Sequence, residues 1–208
     1  RRPDEEGIVR RRSLRILFVL SMIATTLPLM AAPSGATSGD LVITGAFDGP
    51  LTGGAPKGVE LYVVNDIADL SEYGLSSANN GNGATGSPEF TFPADSVTAG
   101  TFLYVASVTD PDAFTPFFGF APDYTDNSML INGDDAIELF HNGVVVDVFG
   151  DVDTDGSGQA WDYLDGWAYR VDGSGQDGAT FTVANWTFSG INGLEGGETN
   201  ATVDEPFP

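Results

Sequence analysis

Ala136-Ile137-Glu138-Leu139-Phe140-His141-Asn142-Gly143-Val144-Val145-Val146-Asp147-Val148-Phe149 is a pair of apolar runs around a short polar break. Asn142 and Gly143 tolerate the positive φ that tight hairpin turns demand. The stretch therefore reads as a β-hairpin with strands over 136–140 and 144–149. The same pattern continues on both sides of it. From Leu41 onward, period-two alternation or short apolar bursts are interrupted every eight to twelve residues by Gly, Pro, Asn or Asp. Further strands are expected over 41–47, 59–64, 89–92, 102–107, 167–171 and 186–189, and no window sustains a helical period. That is the signature of an all-β sandwich or barrel. Residues 79–86, Asn-Asn-Gly-Asn-Gly-Ala-Thr-Gly, are too poor in apolar side chains to pack and are expected to form a mobile loop.

The 208 residues include 14 Phe, 6 Tyr and 3 Trp, enough for a real core, and no Cys. Without cysteine there is no disulfide scaffold, thiol nucleophile or Cys-based zinc site, and a single His removes most catalytic triads. Six of the eight Lys and Arg, and three of the thirty acids, lie within the first fifteen residues. The rest of the chain sets 27 acids against Lys57 and Arg170, a formal charge of −25. Affinity for nucleic acid comes largely from cations that displace counterions, so no direct nucleic-acid binding is expected.

Arg10, Arg11, Arg12 and Arg15 precede the apolar run 16–30, and small residues end at Ser34-Gly35-Ala36. This is the layout of an export signal, with cleavage expected after Ala36 and a secreted or cell-surface destination. The apolar run is shorter than the ~20 residues of a spanning helix and contains Pro28, so no permanent membrane span is expected. The chain divides into an N-terminal extension and leader over 1–36, a β-sandwich over 37–190, and an acidic, Gly-rich tail or linker over 191–208.

Chemistry concentrates in Asp151-Val152-Asp153-Thr154-Asp155-Gly156-Ser157-Gly158-Gln159-Ala160-Trp161-Asp162. Asp151, Asp153 and Asp155 fall at the first, third and fifth positions of a calcium-loop pattern. Gly156 would make the sharp turn, Ser157 would offer its carbonyl, Gln159 sits at the water-linked position and Asp162 closes the loop. The closing Asp and the β-like flanks separate it from an EF-hand. The expectation is a Ca²⁺ loop between strands, and the alternative is a solvated acidic hairpin loop. Asp134 and Asp135 precede a strand and are expected to organise a turn. Alternation should send Glu60 and Glu138 to solvent. His141 is expected to be exposed at a turn tip, and Arg170 to form an ion pair or a cation–π contact. Trp161, Tyr163, Trp167 and Tyr169 would share one face of an extended strand, as core or as a stacking platform for sugars; core is the expectation. No G-x-S-x-G elbow, phosphate loop or H-E-x-x-H helix is present, and a non-catalytic segment follows.

Three blocks together resemble a lamin-tail domain. The first is Val59-Glu60-Leu61-Tyr62 with Ile67-Ala68-Asp69-Leu70-Ser71. The second is Phe90-Thr91-Phe92-Pro93 with Ala99-Gly100-Thr101-Phe102-Leu103-Tyr104-Val105. The third is Ile131-Asn132-Gly133-Asp134-Asp135-Ala136-Ile137-Glu138-Leu139 leading to Val145-Val146-Asp147. The resemblance spans residues 41–150. Val63-Val64 and Glu72-Tyr73-Gly74 depart from the family pattern. What the resemblance implies is an immunoglobulin-like antiparallel β-sandwich serving as an accessory or tethering module of a larger extracellular hydrolase or nuclease. Its partner would be a downstream catalytic domain or a cell-surface component. The alternative is a free-standing adhesion or glycan-binding sandwich that uses Trp161, Trp167 and neighbouring tyrosines.

Overall fold

The computed structural model describes residues 39–108 and 111–208. The leader expected over 1–36 lies outside them. In chain order the strands are β1 (Leu41–Leu51), β2 (Ala55–Val63), β3 (Tyr73–Ala78), β4 (Phe90–Thr91), β5 (Phe102–Ser107), β6 (Tyr124–Asp126), β7 (Ala136–His141), β8 (Val144–Phe149), β9 (Trp167–Arg170) and β10 (Trp186–Phe188). One helix, α1 (Pro111–Phe118), stands between β5 and β6. The strands form two sheets, one in the order β10-β9-β1-β2-β5-β6 and the other β4-β3-β7-β8.

The hairpin expected over 136–149 is present as β7 and β8, with φ of 50° at Asn142 and 76° at Gly143. Alternation then decides which side chains meet. Leu41, Ile43, Leu61, Val63, Leu103 and Val105 of the larger sheet share one core with Leu75, Ile137, Leu139 and Phe149 of the smaller. Each such side chain contributes about 1.5–3 kcal/mol when fully buried. The two sheets are also tied by charge. Asp147 on β8 accepts from the Ile43 amide at 2.9 Å and from Nη2 of Arg170 at 2.7 and 2.8 Å.

Several expectations are corrected. The sandwich is not wholly antiparallel, because β5 and β6 run parallel. A parallel neighbour needs a crossover, and α1 lies in that connection. The helix is hidden in the sequence because it has only eight residues and contains Pro116, although Phe114, Phe117 and Phe118 stand at helical spacing. β3 was missed because Gly74, Ser76 and Ser77 hide its alternation.

The segment 191–208, read as a tail or linker, packs back onto the larger sheet. Leu194, Val203 and Phe207 are buried in a second apolar cluster with Phe47, Phe114 and Phe117. Gly45 lies beneath the Phe207 ring, where a Cβ would fall 2.9 Å from Cε2. The segment over 79–86, read as mobile, is pinned to the outer side of the smaller sheet. The Thr85 amide and hydroxyl both donate to Glu138 at 2.8 Å, and the Asn80 amide donates to Asp135 at 2.9 Å.

Candidate functional site

The acidic loop runs from the end of β8 toward β9. Gly150, at φ 80°, turns the chain out of the strand. Asp151, Asp155 and Asp162 then each fix a turn. Asp151 accepts from the Asp153 amide at 3.1 Å and from the Thr154 hydroxyl at 2.8 Å. Asp155 accepts from the Ser157 amide at 2.9 Å. Asp162 accepts from the amides of Gly158 at 2.7 Å and Leu164 at 3.1 Å. The Ser157 hydroxyl donates to Asp134 at 2.7 Å, and the Gln159 amide donates to the Gly156 carbonyl at 2.8 Å. These are the local side-chain to backbone bonds by which Asp organises loops.

Asp151, Asp153 and Gln159 do share a cleft of about 450 Å³, together with Trp161, Thr180 and Phe181. Asp155, Ser157 and Asp162 are not among its lining residues. Among the described residues, no three Asp, Glu or His side chains group so as to hold a metal ion. The arrangement thus places carboxylates at the mouth of a cleft whose wall is aromatic. The Trp161 and Phe181 rings stand 6.0 Å apart at 69°.

The four aromatics of this region do not share a face. Trp161 and Tyr163 precede β9 and are buried in the main core against Phe149. Trp167 and Tyr169 lie on β9 and point to the outer side of the sheet, where both meet Phe207. The Trp167 indole NH donates to the Glu205 carbonyl at 2.8 Å, so the C-terminal segment occupies the position a sugar would need. A turn between the two pairs, with Asp165 at φ 47°, breaks the extended run that the sequence suggested.

The charged residues singled out from sequence are structural and mostly buried. Arg170 makes both contacts expected of it, an ion pair with Asp147 and a stack over Trp186 at 4.4 Å from the ring centre. Its Nε also donates to the Ile43 carbonyl at 2.6 Å. Lys57 pairs with Asp48 at 2.6 Å and donates to Asn132 at 3.0 Å. Burial pushes the Asp48 and Asp147 carboxyls up to about 6, outweighing the cations beside them.

Glu60 and Glu138 do leave the core, but other parts of the chain cover them, and each is only 2 % exposed. Glu60 accepts from Thr44 at 2.7 Å and from the Tyr104 hydroxyl at 2.6 Å, and burial raises its carboxyl above the usual range. Asp135 organises its turn as expected, accepting from the Asn132 and Asn80 amides at 2.9 Å. His141 is stacked on Tyr73, with ring centres 4.6 Å apart, rather than free at the turn tip.

No protein-family model, curated protein or solved structure matches the chain. The described residues define its class, a two-sheet β protein with ten strands and one short α-helix. None of the described helices is long and apolar enough to cross a membrane.

Proposed function

We propose that the chain is a non-catalytic, exported β-sandwich module of the lamin-tail, immunoglobulin-like kind, which positions or tethers an extracellular hydrolase or nuclease. The observation that carries this reading is the fate of the two cations beyond the leader. Lys57 and Arg170 are 6 % and 5 % exposed, each locked in an ion pair. Hydrolytic chemistry on phosphate needs positive charge or a metal beside its carboxylates to stabilise developing negative charge. Here both side chains are spent on holding strands together, and no exposed Lys or Arg remains on the described surface. A surface of that kind suits contact with another body.

The test has two arms. The full chain, incubated with DNA, phosphoesters and glycosides in the presence of Mg²⁺ and Ca²⁺, should show no turnover above blank. A reporter hydrolase fused to the chain should be retained at the cell surface. Turnover lost on Asp153→Ala would transfer the chain to the enzymes, and free diffusion of the fusion would end the tethering role.

Calcium in the loop of Asp151, Asp153, Asp155, Ser157, Gln159 and Asp162 remains a separate proposal, resting on the spacing of its oxygen donors. Binding would need the loop to turn at least one more carboxylate inward, at the expense of its present backbone bonds. Calorimetry should then show heat on adding Ca²⁺, together with a rise in melting temperature at millimolar ion. Absence of both disposes of it. A glycan-binding role is favoured by one feature, the cleft that sets Asp151, Asp153 and Gln159 against Trp161 and Phe181. Glycan-array signal abolished by Trp161→Ala, in a variant that still melts cooperatively, would support it over tethering.

A further inference from the structure

We infer that the open half of the larger sheet's outer face is a docking trough for an apolar peptide segment flanked by lysine or arginine, supplied by another chain. The inference goes beyond the tethering reading, because it holds whether or not an enzyme lies beside this module.

The trough encloses about 620 Å³ across β5, β2, β1 and the end of β9. Val42 and Thr44 form its floor, and Tyr62, Phe102, Val64 and Val171 its sides. Phe102, Val64 and Val171 are 45 %, 43 % and 41 % exposed, unusual for large apolar side chains standing side by side on one face. The Tyr62 and Phe102 rings pair at 4.9 Å. It continues the half of the sheet that α1 and residues 191–208 cover with phenylalanine rings.

Volume and charge together select the occupant. The volume is that of a ligand site, but the exposed sides would leave much of a small molecule in water. A second copy of the chain would need about 800 Å² per partner for a stable interface, more than a trough of this size supplies alone. It would also bring a second formal charge of −22 to a surface of the same sign. Asp172 lines one side of the trough, and at the other the exposed Asp66 accepts from the Ala99 amide at 2.8 Å, next to lining residue Gly100. Arg170, the one cation of the lining, is 5 % exposed and paired with Asp147, and no exposed Lys or Arg exists among the described residues to oppose the two carboxylates. Apolar surface between carboxylates is complemented by apolar residues between cations.

The test titrates the full chain with two synthetic peptides that share a Val-Phe-Val centre, one flanked by two lysines on each side and one by two glutamates. In about 50 mM NaCl the lysine peptide should bind at least about tenfold more tightly. NMR shifts on binding should concentrate at Val64, Phe102 and Val171. Phe102→Ala and Asp172→Asn should each weaken binding while the melting temperature holds. Should Phe102→Ala fail to fold, Val171→Ser and the wild-type shift map carry the same decision. Equal affinity for the two peptides, or binding of neither, overturns the proposal. Concentration-dependent dimers abolished by Phe102→Ala overturn it too, by assigning the face to a second copy.

Discussion

The outer face of the larger sheet is one surface in two conditions. Over Phe47, Ala106 and Trp167 the chain supplies its own cover, with Phe114, Phe117 and Phe118 from α1 and Phe207 from the C-terminal segment. Over Phe102, Val64 and Val171 the described residues supply none. Glu60 stands between the halves, held by Thr44 and Tyr104. A bulge in β1 between Ile43 and Gly45 helps to create the division, since it shifts outward-facing side chains from even to odd positions. The same strands thus bury rings inside the molecule at one end and present them to solvent at the other. A sheet apolar on both faces is a sheet that expects a second cover.

The largest effect that could break this comparison is on stability. Phe114→Ala removes a fully buried ring from the covered half and should cost about 3–5 kcal/mol in urea unfolding. Phe102→Ala, the corresponding cut in the open half, should cost less than about 1 kcal/mol, because that ring is nearly half exposed already. Equal losses would mean that the open half is not open in solution and that the division is wrong.

Legibility from sequence followed the same line. The β7–β8 hairpin was readable because two apolar runs flank an unambiguous Asn-Gly turn, with Glu138 marking the side opposite Ile137 and Leu139. The outward faces were not. Tyr62-Val63-Val64 and Phe102-Leu103-Tyr104-Val105 are apolar on both sides, and alternation cannot say which side is core or whether the other is covered. Phe207 and Leu194 sit among Gly, Glu and Asn, so local composition argued for a linker while two or three anchor side chains decided the matter. In the acidic loop the residue types were legible, but their direction was not. An Asp that ligates a cation and an Asp that fixes a turn occupy the same spacing in a sequence, and only the backbone amides of Asp153, Ser157 and Gly158 show that turns have been built.

The next effect concerns the ion pairs that brace the sandwich. Asp48 and Asp147 have carboxyls raised to about 6, chiefly by burial, against about 3.9 in an unfolded chain. Over that window the folded protein holds more protons than the unfolded one, so stability falls as pH rises from about 4 through 6. Each group is worth on the order of 3 kcal/mol across the window. Thermal unfolding should therefore show a higher melting temperature at about pH 5.5 than at pH 8. The repulsion among the remaining carboxylates adds with the same sign. A melting temperature that climbs toward pH 8 would mean that Lys57 and Arg170, not burial, govern these two aspartates.

The smallest expected effect is that of salt, and it separates the halves most cleanly. With Asp and Glu but no Lys or Arg exposed on the described surface, folding gathers like charges, and screening relieves them. Melting temperature should rise by a few degrees between dilute buffer and about 0.5 M NaCl, where the Debye length falls to roughly 4 Å. The open trough should answer in the opposite direction. Asp66 and Asp172 attract a cationic flank only across solvent, so the same salt should weaken binding of the lysine-flanked peptide while the fold becomes more stable. Opposite signs in one titration cannot arise from partial unfolding, which would weaken stability and binding together. Parallel signs would show that the peptide follows the fold and not the carboxylates of the trough.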